Sequence, residues 1–143
     1  ILTTRESLLK QTIFYPIMLF SRLASGSALD VAVNAPRYET KRFGDQPLLD
    51  VSASYNPETG ANAVFVVNRS QTESLPVELI WQDRAPKQVN SMQRVSGRDP
   101  KAANTFENPA QITAVPVDAP EIAGSAATLL LPPLSFTALE VAL

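Results

Sequence analysis

Apolar positions change their spacing once along this chain, near residue 28. Before that point, residues 8–23 read Leu-Leu-Lys-Gln-Thr-Ile-Phe-Tyr-Pro-Ile-Met-Leu-Phe-Ser-Arg-Leu. Ile13, Ile17 and Phe20 fall at i, i+4 and i+7, the spacing of one helix face. Thr12 is the predicted N-cap, and Pro16 is tolerable near a helix start, where few intrahelical donors are lost. Gly26, after Ala24-Ser25, is the predicted C-cap. Phe14, Tyr15, Met18, Leu19 and Leu23 cover the remaining faces. A helix that is apolar nearly all round has to be buried on several sides, and no other segment has the helical pattern to cover it. The pattern alone therefore predicts a missing packing partner.

From residue 28 the spacing becomes that of strands. Candidate strands are Ala28–Val33, Leu48–Tyr55, Ala61–Asn68, Leu75–Trp81, Gln88–Ser96, Ile112–Val117, Ala126–Leu131 and Ser135–Leu143. Several are short, β-branched and alternating, as Val77, Leu79 and Trp81 are against Glu78, Ile80 and Gln82. Turn signals separate them: Asn56-Pro57-Glu58-Thr59-Gly60, Ser96-Gly97-Arg98-Asp99-Pro100 and Leu131-Pro132-Pro133. The first of these sits between two good strands and is the clearest hairpin. Residues 34–47, with Arg37, Lys41 and Arg42, read as a linker. Short strands at this spacing argue for a mainly β fold, an antiparallel β-sandwich of jelly-roll kind. The 12 prolines mark edges and loops, where they block unwanted pairing.

A chain of 143 residues can bury a sizeable core, and 45% hydrophobic against 18% charged residues makes it globular. The net charge of −2 leaves no electrostatic footprint for nucleic acid or an acidic membrane. The apolar stretch Ile13–Phe20 is too short to span a bilayer. Neither cysteine nor histidine is present. Disulfides, thiolate metal sites, a cysteine nucleophile and a Ser-His-Asp triad are thereby excluded within these residues. No metal site or phosphate loop is expected. No secretory signal pattern precedes Ile1, and the abrupt opening Ile1-Leu2-Thr3-Thr4 reads as a cut through a fold.

Two strings are more distinctive: Lys10-Gln11-Thr12-Ile13-Phe14-Tyr15-Pro16 and Lys101-Ala102-Ala103-Asn104-Thr105-Phe106-Glu107-Asn108-Pro109. With Leu131-Pro132-Pro133-Leu134-Ser135-Phe136, and in this order, they resemble the C-terminal end of the α-L-arabinofuranosidases of glycoside hydrolase family 51. The resemblance implies that residues 1–27 are the end of the last strand and the last helix of a (β/α)8 barrel. Residues 28–47 are then the crossover and linker, and residues 48–143 the C-terminal β-sandwich. The barrel remainder would lie on a companion polypeptide or a missing segment. So would the two catalytic glutamates, leaving no catalytic residue here. The whole enzyme would be a cofactor-free retaining hydrolase, releasing terminal α-L-arabinofuranosyl groups from arabinoxylan, arabinan or arabino-oligosaccharides. A homo-oligomer in the bacterial cytoplasm is implied, with secretion left open. In that family the sandwich also recruits a segment from the enzyme's extreme N-terminus, so one sandwich edge is expected to be open.

Within this frame Gln11 is the substrate-binding candidate. The resemblance places it at the mouth of the barrel, where active sites are built from strand-end loops. An amide that both donates and accepts suits a sugar hydroxyl; the plainer reading is that Gln11 satisfies backbone at the helix start. Tyr15, Asn104 and Phe106 are rim or interface candidates, with core packing as the plainer reading for Tyr15 and a self-bonded loop for the Asn104–Pro109 string. Leu9 departs from the family, where many members carry tryptophan, so sugar stacking at that position is lost. Asn68-Arg69-Ser70 matches a glycosylation sequon but reads as a strand-end turn. The acidic residues are scattered singly, without the pair that a glycosidase needs. The alternative from another class is a free-standing β-sandwich that binds carbohydrate or a protein. An exposed Trp81 would favour it; a Trp81 in the core, beside a helix with uncovered apolar faces, would favour the enzyme tail.

Overall fold

In the computed structural model, which describes residues 1–143, two short paired strands, β1 (Leu2–Thr3) and β2 (Leu8–Leu9), precede a single helix, α1 (Phe14–Leu23). Strand β3 (Ser27–Leu29) follows, then a separate hairpin of β4 (Arg37–Thr40) and β5 (Gly44–Pro47). The remaining elements are β6 (Leu49–Asn56), β7 (Ala61–Asn68), β8 (Leu75–Ile80), β9 (Gln88–Ser96), β10 (Ala114–Pro116), β11 (Ile122–Ala123), β12 (Ala126–Leu131) and β13 (Ser135–Ala142). All pairings are antiparallel. A six-stranded sheet runs β10-β9-β13-β7-β6-β3, and a three-stranded sheet runs β11-β12-β8. No helix is long and apolar enough to cross a membrane.

The two sheets enclose the main core. Val64, Val66, Met92, Leu139 and Val141 from the larger sheet meet Val77, Leu129 and Leu131 from the smaller. Successive strand residues point to opposite faces, so Ala63, Phe65, Val95, Phe136 and Ala138 face the other way. There they pack with Leu19 of α1, supported by Tyr15, Met18 and Leu23. The helix thus lies on the outer face of the larger sheet. This explains why β7 and β13 are buried on both faces and read as nearly continuous apolar runs.

The Asn56–Gly60 turn joins β6 to β7 as the sequence predicts. Gly60 has φ +71° and donates its N–H to Asn56 O at 2.8 Å. The Asn56 side chain accepts the Glu58 N–H at 3.0 Å, the Asx bond that favours asparagine at turns. In the smaller sheet β8 is an edge strand, and Val51 and Ala53 of β6 are only partly buried against the core.

Four expectations are corrected. Thr12 does not cap α1: Ile13 occupies that position in helical backbone, and the buried Thr12 Oγ1 has no partner. Backbone turns fill the role instead, with Phe14 N–H donating to Gln11 O at 2.9 Å and Tyr15 N–H to Thr12 O at 3.4 Å. Gly26 is not the C-cap, which is Ala24. Its left-handed φ of +76° serves a close passage, because a Cβ there would lie 2.2 Å from Tyr55 O. The supposed linker holds β4 and β5, whose alternation is masked by Arg37, Glu39, Lys41 and Arg42 on an exposed hairpin. Finally, α1 does have a partner within the chain, a sheet rather than a helix. That sheet covers one side only. Ile13 and Ile17 stay 64% and 60% exposed, while Phe20, predicted on the same face, stacks on Phe65 with ring centroids 3.9 Å apart.

Candidate functional site

Gln11 sits between β2 and α1, half-buried, in a stretch whose backbone is tightly held. Its carbonyl accepts Phe14 N–H. The carbonyl of Lys10, in the peptide unit that carries the Gln11 nitrogen, accepts from Asn104 Nδ2 at 3.0 Å. The Gln11 side-chain amide takes no part in the hydrogen bonds of the chain, all of which run through other groups. Its donor and acceptor are free for a ligand. Leu9, two residues earlier, is a packed aliphatic side chain, 2% exposed.

Asn104 belongs to the loop between β9 and β10 and is 6% exposed. Besides holding Lys10, its Nδ2 donates to Ile112 O at 2.8 Å, and its Oδ1 accepts Ile112 N–H at 2.7 Å. Ile112 is part of the apolar cluster beneath α1. One buried amide thus joins the start of the helix to its own loop, ninety-four residues away along the chain. The rest of the string is a self-bonded turn, in which Thr105 N–H donates to Asn108 O at 3.2 Å and Asn108 N–H to Thr105 Oγ1 at 3.1 Å. Glu107 is exposed. Its own backbone N–H and the Thr105 hydroxyl hold its carboxyl below the usual range, the wrong direction for a general acid near neutral pH.

The other candidates separate. Tyr15 packs toward the sheet beneath α1 and meets Phe14 edge-on at 5.5 Å. Phe106 is 41% exposed and joins neither core cluster. Lys10 lies over the Phe14 ring at 5.3 Å.

Trp81 is half-buried against the inter-sheet core, and its indole N–H donates to Asn62 Oδ1 at 2.7 Å. It is no exposed platform. This, with Ile13 and Ile17 uncovered, is the combination expected of an enzyme tail. Asn68 is 1% exposed, with its amide committed to backbone, so the sequon lies inside the fold. Asp45 and Asp50 pair with Arg37 and Arg69. No group of three or more acidic residues is placed to hold a metal ion.

One feature went unnoticed in the sequence. Arg94 follows Met92 in the inward phase of β9, and its guanidinium donates to Thr137 Oγ1 and Leu130 O, each at 3.1 Å. It lines a cleft of about 480 Å³ with Asp118 and Thr128, and partial burial lowers its pKa from the usual value. An arginine at a core-facing strand position was the available signal.

Residues 1–135 match the family described as the alpha-L-arabinofuranosidase C-terminal domain. The chain is 32% identical over 133 residues to an intracellular exo-α-(1→5)-L-arabinofuranosidase of Streptomyces lividans, covering 93% of this chain and 20% of that protein. It is 30% identical over 135 residues to an exo-α-(1→6)-L-arabinofuranosidase of Bifidobacterium longum, covering 92% of this chain and 26% of that one. Its fold superimposes on a family 51 α-L-arabinofuranosidase from Bifidobacterium longum with a TM-score of 0.86 at 25% identity, over 93% of this chain and 26% of the other. The chain therefore spans 20–26% of the length of these relatives.

Proposed function

The chain belongs to the α-L-arabinofuranosidase C-terminal domain family, and we propose on that premise that it supplies the β-sandwich and last barrel helix of an enzyme removing terminal α-L-arabinofuranosyl residues. The observation that carries this reading is the pairing of an uncovered apolar helix face, Ile13 and Ile17, with a Gln11 whose backbone is held and whose amide is free. The open face is where the remaining barrel packs. The free amide is the hydrogen-bonding head for a sugar hydroxyl in the subsite next to the scissile bond. Retaining hydrolysis needs two carboxyl groups about 5 Å apart, one an acid/base and one a nucleophile. They are assigned to glutamates of the barrel portion. The substrates are arabinoxylan, arabinan or their oligosaccharides. The names of the relatives include both (1→5)- and (1→6)-specific enzymes, so the reading extends to the terminal sugar and not to its linkage. Several relatives are named intracellular, which supports action inside the cell on imported oligosaccharides. A homo-oligomer of the whole enzyme completes the proposal.

The test joins intact mass of the native protein to hydrolysis of an aryl α-L-arabinofuranoside on the same sample. A polypeptide carrying the barrel together with activity, abolished or strongly reduced by Gln11→Ala, supports the reading. A monodisperse 15.5 kDa monomer without activity overturns it and leaves the binding-module alternative.

A further inference from the structure

We infer that Asn104 is a positioning residue for Gln11, acting from the sandwich on a binding group at the end of a barrel strand. The inference rests on the sugar-binding reading of Gln11 and deepens it. Three observations support it. Asn104 is buried, and every one of its amide contacts is to backbone. One of these holds the Lys10 carbonyl, and a peptide unit is planar, so fixing that oxygen fixes the plane that contains the Gln11 nitrogen. On the other side, the Gln11 carbonyl is taken by Phe14 N–H at 2.9 Å. The backbone of Gln11 is thus clamped before and after its Cα, while its head is unengaged. That is how a group is held ready for a ligand without being used up by the fold.

The opposing account is that Asn104 merely satisfies its own loop. The two bonds with Ile112 do that. The third bond, to Lys10, lies outside the loop and is not needed to close it.

Asn104→Asp keeps the acceptor for Ile112 N–H and removes the amide donor shared by Lys10 O and Ile112 O, so the separation of the two roles falls to the pairing with Gln11→Ala. In the full enzyme, kcat/KM for an aryl α-L-arabinofuranoside should fall about tenfold to a hundredfold, the range expected when a positioned group is released by an ångström or so. Asn104→Ala should do the same. The decisive measurement is the double-mutant cycle with Gln11→Ala. If Asn104 acts through Gln11, adding either Asn104 variant to Gln11→Ala lowers kcat/KM by less than about threefold. A loss as large as in the wild-type background means independent effects and overturns the inference. So does an Asn104→Asp enzyme with unchanged kcat/KM. Should Asn104→Ala fail to fold, the Asp variant and its cycle still decide. Gln11→Ala alone with full activity would instead sink the sugar-binding reading, a result distinct from failure of the tether.

Discussion

Asn68 is the side chain whose loss should harm this sandwich most for its size. It ends β7, and its single NH2 group donates to Glu73 O at 2.9 Å and to Leu131 O and Pro132 O at 3.0 Å each. Its Oδ1 accepts Ser70 N–H at 2.9 Å. The amide therefore joins the larger sheet to the approach to β8 and to the turn between β12 and β13. Asn68→Ala removes two donor hydrogens and one acceptor. At about 0.5–1.5 kcal/mol net for each neutral hydrogen bond, the loss is roughly 3 kcal/mol, and carbonyls left unpaired in a buried site push it higher. That is a large share of the 5–15 kcal/mol or so that holds an ordinary domain. Asn68→Asp keeps the shape and the acceptor for Ser70 but sets a negative charge against three carbonyl oxygens. It should be worse than alanine at pH 7. Those oxygens favour the protonated carboxyl and raise its folded pKa above the unfolded one. The Asp variant is then most stable below the unfolded pKa and loses stability as pH rises through the folded value. Hydrogen exchange of peptides spanning β7, β12 and β13, at pH 7 and at mildly acid pH, reads the opening free energy directly. An Asn68→Ala cost under about 0.5 kcal/mol, or an Asp variant equal to alanine at pH 7, would refute the reasoning.

Three further outcomes are expected. Gly26→Ala should destabilise more than Gly60→Ala in thermal melts. Both sit at positive φ, but only at Gly26 would a Cβ strike backbone, 2.2 Å from Tyr55 O against 3.4 Å from Leu143 O at Gly60. Trp81→Phe should cost about 1–3 kcal/mol in urea unfolding by leaving Asn62 Oδ1 unpaired, and the fluorescence of Trp81 should not respond to arabino-oligosaccharides; a response there would revive the binding-module reading. Ile17→Lys should change the hydrogen exchange of the sandwich strands by no more than about 0.5 kcal/mol, since the side chain is exposed in this chain. In the full enzyme it should cause loss of soluble active protein if, as proposed, this face packs on the barrel and the charge is buried there.

The long strands of the smaller sheet were legible because they obey a period-two rule, and β7 and β13 because they are short β-branched, apolar runs bounded by turns. Leu75–Ile80 and Ala126–Leu131 alternate cleanly: each has one face on the core and one in solvent. The Asn56–Gly60 hairpin was legible for a different reason, the local chemistry of asparagine and glycine in turns. What escaped was set by tertiary context. Strands β4 and β5 form a hairpin exposed enough that burial imposes no pattern on it. Thr12 has the composition of a cap, yet the backbone turn at Gln11 and Thr12 satisfies the first donors before a side chain is needed. Gly26 has the residue type of a helix stop, but the atom that excludes a side chain there belongs to Tyr55, on β6.

The functional region was legible in its parts and not in their connection. Gln11 stands out for its residue type within a distinctive string, and Asn104 for the same reason in another. Nothing in spacing or composition says that the amide of one holds the peptide plane of the other. Such a contact has no period, because it depends on how a loop between β9 and β10 folds over the entrance to α1. It does have a physical signature once the fold is known: a buried polar side chain bonded wholly to backbone on two distant segments, beside a half-buried amide bonded to nothing. The first arrangement fixes geometry and the second leaves chemistry unspent. Their adjacency is why the proposed tether is assigned to this end of α1 rather than to the Arg94 cleft or the Phe106 turn. In the Arg94 cleft the guanidinium is already engaged by Thr137 and Leu130, and the Phe106 turn is closed on itself by Thr105 and Asn108.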